Sequence, residues 1–237
     1  PINELNKKFS VKLNVDFNFD NKTMNGEAWI TAKPHFYSTN FITLDAKAML
    51  IHQVSMNNTA LKYTYEDGLN LIISLPKTYN RNEEFTVYIK YTAQPEKVYQ
   101  NGSAAITSAK GLYFINADGL EKNKPTQIWT QGETEASSCW FPTIDAPNQK
   151  TSQEIYMTVP DKFVTLSNGA LISQTKKGNN RTDYWKFDQK HAPYLFFMGI
   201  GEYEIIKDSY KNIPVNYYVE KEFAPYAKDI FGLTPEM

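Results

Sequence analysis

Val11-Lys12-Leu13-Asn14-Val15-Asp16-Phe17-Asn18-Phe19 is apolar at every odd position and polar at every even one. A period of two over nine residues is the pattern of a strand with one face on a core and one in water. Asp20-Asn21-Lys22 follows with turn chemistry, and Gly26–Ala32 reads as the returning strand. Phe85–Tyr91 repeats the alternation. Further strands are expected at Phe41–Leu44, Leu69–Leu75, Gln127–Thr130, Glu154–Val159, Asp183–Phe187, Leu195–Phe197, Tyr203–Ile206 and Val215–Val219. Turn signals separate them at Glu66-Asp67-Gly68, Ala117-Asp118-Gly119, Ser167-Asn168-Gly169 and Lys177-Gly178-Asn179. Many short strands at this spacing mean an all-β protein, a sandwich or a large twisted open sheet.

The chain has 237 residues, enough to bury about 70% of its unfolded surface and hold a core without staples. Its 41% hydrophobic and 22% charged residues match a folded domain, not a disordered or fibrous chain. Net charge is −1, and only Arg81 and Arg181 carry guanidinium groups, so a nucleic-acid partner is not expected. No apolar stretch is long enough for a membrane helix. The single cysteine, Cys139, excludes an intrachain disulfide and any multi-thiolate metal site.

The sequence carries no catalytic set of its own. His35, His52 and His191 are far apart, and no H-E-x-x-H, G-x-S-x-G or P-loop motif occurs. Cys139 lies between Ser138 and Trp140 with no histidine near it, the setting of a buried structural thiol.

One segment concentrates unusual residues: Trp129-Thr130-Gln131-Gly132-Glu133, then Trp140-Phe141-Pro142-Thr143-Ile144-Asp145-Ala146-Pro147. If the strand persists past Thr130, Gln131 and Glu133 share a face. Beside a glycine, which lets another backbone approach closely, an amide and a carboxylate suit a primary ammonium group. The alternative is a polar pair at a strand end followed by an aromatic and proline loop packed on the sheet.

Thr130-Gln131-Gly132-Glu133, Phe141-Pro142 and Asp145-x-Pro147 resemble the T-Q-x-E…F-P…D-x-P signature of the aminopeptidase N family of zinc metallopeptidases, which includes the leukotriene hydrolase. Thr158-Val159-Pro160 with Leu166–Gly169, Ala192–Phe196 with Gly199–Tyr203, and Thr43–Ala46 with Ile51–Val54 are similar to further family stretches, in order. The resemblance implies a large, saddle-shaped β-sandwich as the N-terminal domain, followed by a catalytic domain holding the zinc. It also implies that Gln131 and Glu133 reach into the active-site cleft and hold the peptide substrate's free α-amine. Trp140, Phe141, Pro142, Asp145 and Pro147 then belong to the structural loop, Asp145 capping it between two prolines. Two departures stand out. The arginines that follow the Glu in many members are absent from Glu135-Ala136-Ser137-Ser138, which suggests another brace, such as Trp140. Gly132 replaces a bulkier residue, which suggests a wider first subsite.

On this reading residues 1–222 form the sandwich, and residues 223–237 begin the link to a downstream zinc-peptidase domain. Phe223–Phe231 has the composition of a short helix with Gly232 as its C-terminal cap. Thr234-Pro235-Glu236 reads as the opening of another, with Thr234 as N-cap, so the natural polypeptide is expected to continue. No metal or cofactor is expected in this chain, and the isolated 237 residues are expected to be inactive. Similar enzymes with this Lys- and Asn-rich, Arg-poor character are exported by bacteria, which points to a periplasmic setting. The sequons at Asn21, Asn57, Asn101 and Asn180 are compatible with export. Two other readings stay open: a stand-alone sandwich that binds a partner without catalysis, and a carbohydrate-binding sandwich using the tryptophans. Trp29, Trp129, Trp140 and Trp185 are expected to be core or corner residues.

Overall fold

A computed structural model describes residues 9–98 and 109–237; the Asn101 sequon lies outside them. The first half supplies β1 (Ser10–Asn18), β2 (Thr23–Ala32), β3 (Thr39–Asp45), β4 (Met49–Met56), the short β5 (Thr59–Ala60) and β6 (Tyr63–Thr64), β7 (Asn70–Tyr79) and β8 (Phe85–Ala93). The second half supplies β9 (Leu112–Ile115), β10 (Gln127–Thr130), β11 (Thr151–Pro160), β12 (Val164–Ser167), β13 (Ala170–Lys177) and β14 (Asn180–His191). It ends with β15 (Met198–Gly201), β16 (Tyr203–Tyr210), β17 (Ile213–Glu220) and a five-residue helix, α1 (Ala227–Phe231).

The strands form an eight-stranded sheet in the order β13-β14-β11-β1-β2-β8-β4-β5, with smaller sheets β12-β15-β10-β9, β3-β7-β6 and β16-β17. Among the described residues the strand pairings are antiparallel except β1 with β11, where Leu13 sits opposite Ile155. The alternation of the opening strand is what places it here: Val11, Leu13 and Val15 point inward and are buried, while Lys12, Asn14 and Asp16 face water. Ala28 and Ile30, Val87 and Ile89, and Ile155 and Met157 continue that buried face across the neighbouring strands. One hydrophobic cluster joins them to Ile42, Leu44, Leu71 and Ile73 of the three-stranded sheet and to Leu112, Ile128, Met198 and Ile200 of the four-stranded one. The chain is therefore an all-β sandwich, with the three- and four-stranded sheets packed on the large one, while β16-β17 packs with α1 in a separate small cluster of Tyr217, Val219 and Ala227.

Four local features differ from the sequence reading. Leu195–Phe197 is not a strand: Pro193–Leu195 forms a 3-10 turn, because Pro193 has no N–H for a ladder and Phe196 donates back to Pro193 O at 2.9 Å. Met198 then opens β15. Gly232 follows α1 but has a right-handed φ of −60°, so it is not a left-handed cap. Leu233, not Thr234, occupies the cap position of the final 3-10 turn, and the Thr234 hydroxyl makes no capping bond. Trp140 and Trp185 are core residues, but Trp29 and Trp129 lie half-buried on outer sheet faces, Trp29 in tilted ring contact with Tyr88 and Trp129 stacked on Tyr113.

Candidate functional site

The segment singled out in the sequence leaves the end of β10, which lies between β9 and β15. Thr130 fixes that end, its Oγ1 accepting the Met198 N–H at 2.9 Å. Gln131 extends the ladder by one bond, donating its N–H to Gly111 O at 3.0 Å, and then the chain turns away. The strand does not persist, so Gln131 and Glu133 are not brought together by alternation. They meet through a turn: the Gln131 side-chain Oε1 accepts the Glu133 N–H at 2.7 Å. Glu133, Thr134 and Glu135 are exposed, while Gln131 is half-buried. Among the described residues no cation pairs with the Glu133 carboxylate.

Gly132 is buried, and its lack of a side chain is used. A Cβ there would stand 2.3 Å from Tyr194 O and 2.7 Å from Ser137 Oγ. The space is already filled by the backbone of the Pro193 turn, so the glycine opens no subsite on that side. It is the close backbone approach that the sequence suggested. Gly111, with φ +70°, provides a second such passage, beneath Ala136 O.

Beyond Glu135 the chain dives into the protein. Ala136 N–H donates to Gly132 O at 2.8 Å, and a 3-10 turn covers Ser137–Cys139. Ser137 Oγ donates to Pro193 O at 2.8 Å. Trp140 and Phe141 are fully buried, in ring contact with each other and with Phe196, which stacks in turn on His191. Buried inside this domain, Trp140 offers no face to brace the loop against another one.

The far end of the segment is clamped by carboxylates. Thr143 bridges to Asp45, exchanging backbone bonds of 2.7 and 3.0 Å, and Asp145 N–H donates to Asp45 Oδ2 at 2.8 Å. Asp145 Oδ2 accepts the Ser138 N–H at 2.8 Å. Burial pushes the Asp145 carboxyl above its usual range, opposed by the Ser138 bonds and by the charge of Lys47. Pro142 is buried and Pro147 exposed at the two ends of this corner. Cys139 is buried, its Sγ donating to Ala109 O at 3.7 Å, and burial pushes its thiol up to about 12. It is therefore neither a nucleophile nor a thiolate ligand at neutral pH.

Among the described residues no side chains are assembled into a zinc site. His52 bonds Thr92 Oγ1, His35 lies edge-on to Phe36, and His191 donates its Nδ1–H to Gln189 O. Among the described residues no three His, Cys, Asp or Glu side chains are grouped to hold a metal. No described helix is long and apolar enough to cross a membrane.

Sequence reasoning did not find Lys47. Its Nζ donates to Glu135 O at 2.6 Å and its backbone N–H to Ser138 O at 2.8 Å. No local pattern could have pointed to it, since it lies 88 residues from Glu135.

Comparison with known proteins places the chain in a family. Residues 6–195 match the Peptidase M1 N-terminal domain. Among curated relatives, the chain is 21% identical to transcription initiation factor TFIID subunit 2 of Gallus gallus, over 90% of this chain and 21% of that protein. It is 24% identical to the puromycin-sensitive aminopeptidase of Caenorhabditis elegans, over 81% of this chain and 21% of that protein. The chain thus spans about a fifth of the length of these relatives. The crystal structure of an M1 zinc metallopeptidase from Deinococcus radiodurans shares the fold, with a TM-score of 0.72 at 14% identity, covering 91% of this chain and 47% of that one. With the family match covering most of its length, the chain belongs to the N-terminal domains of the M1 zinc metallopeptidases, the aminopeptidase N family.

Proposed function

We propose that this domain works in a zinc aminopeptidase and binds the free α-amine of the peptide substrate through Glu133 and Gln131. The zinc and the water-activating base belong to a downstream domain, and residues 223–237 begin the link to it. The observation that carries the reading is the exposed Glu133 carboxylate, unpaired among the described residues, on a turn fixed by Gln131 Oε1.

A carboxylate and an ammonium 4 Å apart attract by about 4 kcal/mol at an effective dielectric near 20, before desolvation is counted. N-acylation removes that charge. Gln131 complements it through Oε1, which has a second lone pair beyond the one used by Glu133 N–H. The pair thereby favours an unblocked N-terminus without touching the scissile bond. That is recognition, not bond-breaking.

The test is hydrolysis by the full-length protein of leucyl anilide and of its N-acetyl form. The expected result is cleavage of the free-amine substrate alone, stopped by a chelator and restored by zinc. Absence of cleavage, or equal cleavage of both substrates, overturns the reading.

A second reading is favoured by the likeness to TFIID subunit 2, a protein named as a transcription-factor subunit, over 90% of this chain. In it the sandwich serves as an interaction module without catalysis. Zinc-dependent hydrolysis by the full-length protein excludes it.

A further inference from the structure

We propose that Lys47 is the positioning residue that holds the amine-recognition turn in place, an inference that rests on the function proposed for Glu133. Two of its groups reach the same segment: the ammonium donates to Glu135 O at 2.6 Å, and the backbone N–H donates to Ser138 O at 2.8 Å. The first is charge-assisted, and such bonds are about twice as strong as neutral ones. Two residues earlier in the chain, Asp45 grips Thr143 and the Asp145 N–H. Asp45 at the end of β3 and Lys47 just beyond it therefore fasten the chain immediately downstream of Glu133 at two places, Glu135–Ser138 and Thr143–Asp145.

The choice of a carbonyl as partner matters. Glu133 and Glu135 put two carboxylates within three exposed residues, and Glu135-Ala136-Ser137-Ser138 contains no cation to offset them. Lys47 brings a positive charge from 88 residues away and places it on the Glu135 carbonyl, where it also acts on the buried Asp145 carboxyl. It steadies the turn while leaving the Glu133 carboxylate open to a substrate ammonium. A salt bridge to Glu133 itself would have closed the site. Arg in place of Lys could still donate to one carbonyl, whereas Gln has no charge and Met no donor.

The test compares Lys47→Met, Lys47→Gln, Lys47→Arg and Glu133→Gln in the full-length protein, using leucyl anilide kinetics and amide hydrogen exchange. Lys47→Met and Lys47→Gln are expected to raise KM five- to tenfold with kcat within twofold. They should also speed exchange at the Ala136 and Ser138 amides, and Lys47→Arg should restore both. A merely structural lysine would lower active protein and Tm without this split between KM and kcat. If Glu133→Gln raises KM and both neutral Lys47 variants leave it within twofold, the role of Lys47 is wrong and the recognition reading stands. If Glu133→Gln itself leaves KM unchanged, the recognition reading fails and takes this inference with it.

Discussion

The carbonyl oxygen of Tyr194 stands 2.3 Å from where a Cβ would sit on Gly132. The two chain segments touch backbone to backbone, 62 positions apart in the sequence, and that contact sets how β10 hands over to the Glu133 turn. Gly132→Ala must push the Pro193 turn or its own backbone aside. Overpacking of this kind costs about 1–3 kcal/mol. At roughly 2–4 °C per kcal/mol for a domain of this size, Tm should fall by several degrees. Thermal unfolding of the variant measures it, and an unchanged Tm would mean the contact is looser than described.

Asp145 makes a different prediction, because its carboxylate is the acceptor for the Ser138 N–H. Removing it leaves a buried donor unpaired, which costs about 1–3 kcal/mol. Asp145→Ala should therefore lower the urea midpoint. Asp145→Asn, which keeps an acceptor oxygen, should recover part of the loss. Equal losses in both variants would show that charge, not hydrogen bonding, sets the role of Asp145.

His191 gives a pH dependence. Its ring is stacked on Phe196, and burial pulls its value below the ordinary 6.5, only partly opposed by the bond to Gln189 O. Nδ1 donates that bond, so Nε2 is the bare nitrogen, buried without a partner. In the window between the depressed value and 6.5 the unfolded chain binds the proton and the native one does not. Stability is therefore full above 6.5 and falls as pH drops through that window. Urea midpoints should decrease from pH 7 to pH 5, and His191→Phe, which keeps the stack, should flatten the decrease.

How much of this was legible in the sequence depended on whether a residue's role was local. Val11–Phe19 announced its own fold, because each inward side chain is two residues from the next. The strand β13 did not: all eight of its residues are exposed at the sheet edge, so no apolar face imposed an alternation. Pro193 and its turn were hidden behind the β-rich composition of Leu195–Phe197. At the candidate site, Gln131 and Glu133 could be named, but the turn that joins them could not. Their adjacency comes from a side chain accepting a backbone N–H, not from strand periodicity. Lys47 and Asp45 were illegible as partners of this loop for the plainest reason. Tertiary pairing across about 90 to 100 residues leaves no mark on a local pattern.

The central claim is that Glu133 supplies the charge for amine recognition, and steady-state kinetics of Glu133→Gln in the full-length protein test it most directly. Loss of one charge-assisted contact of about 1.5–3 kcal/mol corresponds to roughly a 10- to 150-fold fall in kcat/KM for leucyl anilide. The account predicts that fall, expressed mainly in KM, together with weaker discrimination against the N-acetyl substrate. A Glu133→Gln protein that keeps wild-type KM and wild-type discrimination would contradict it.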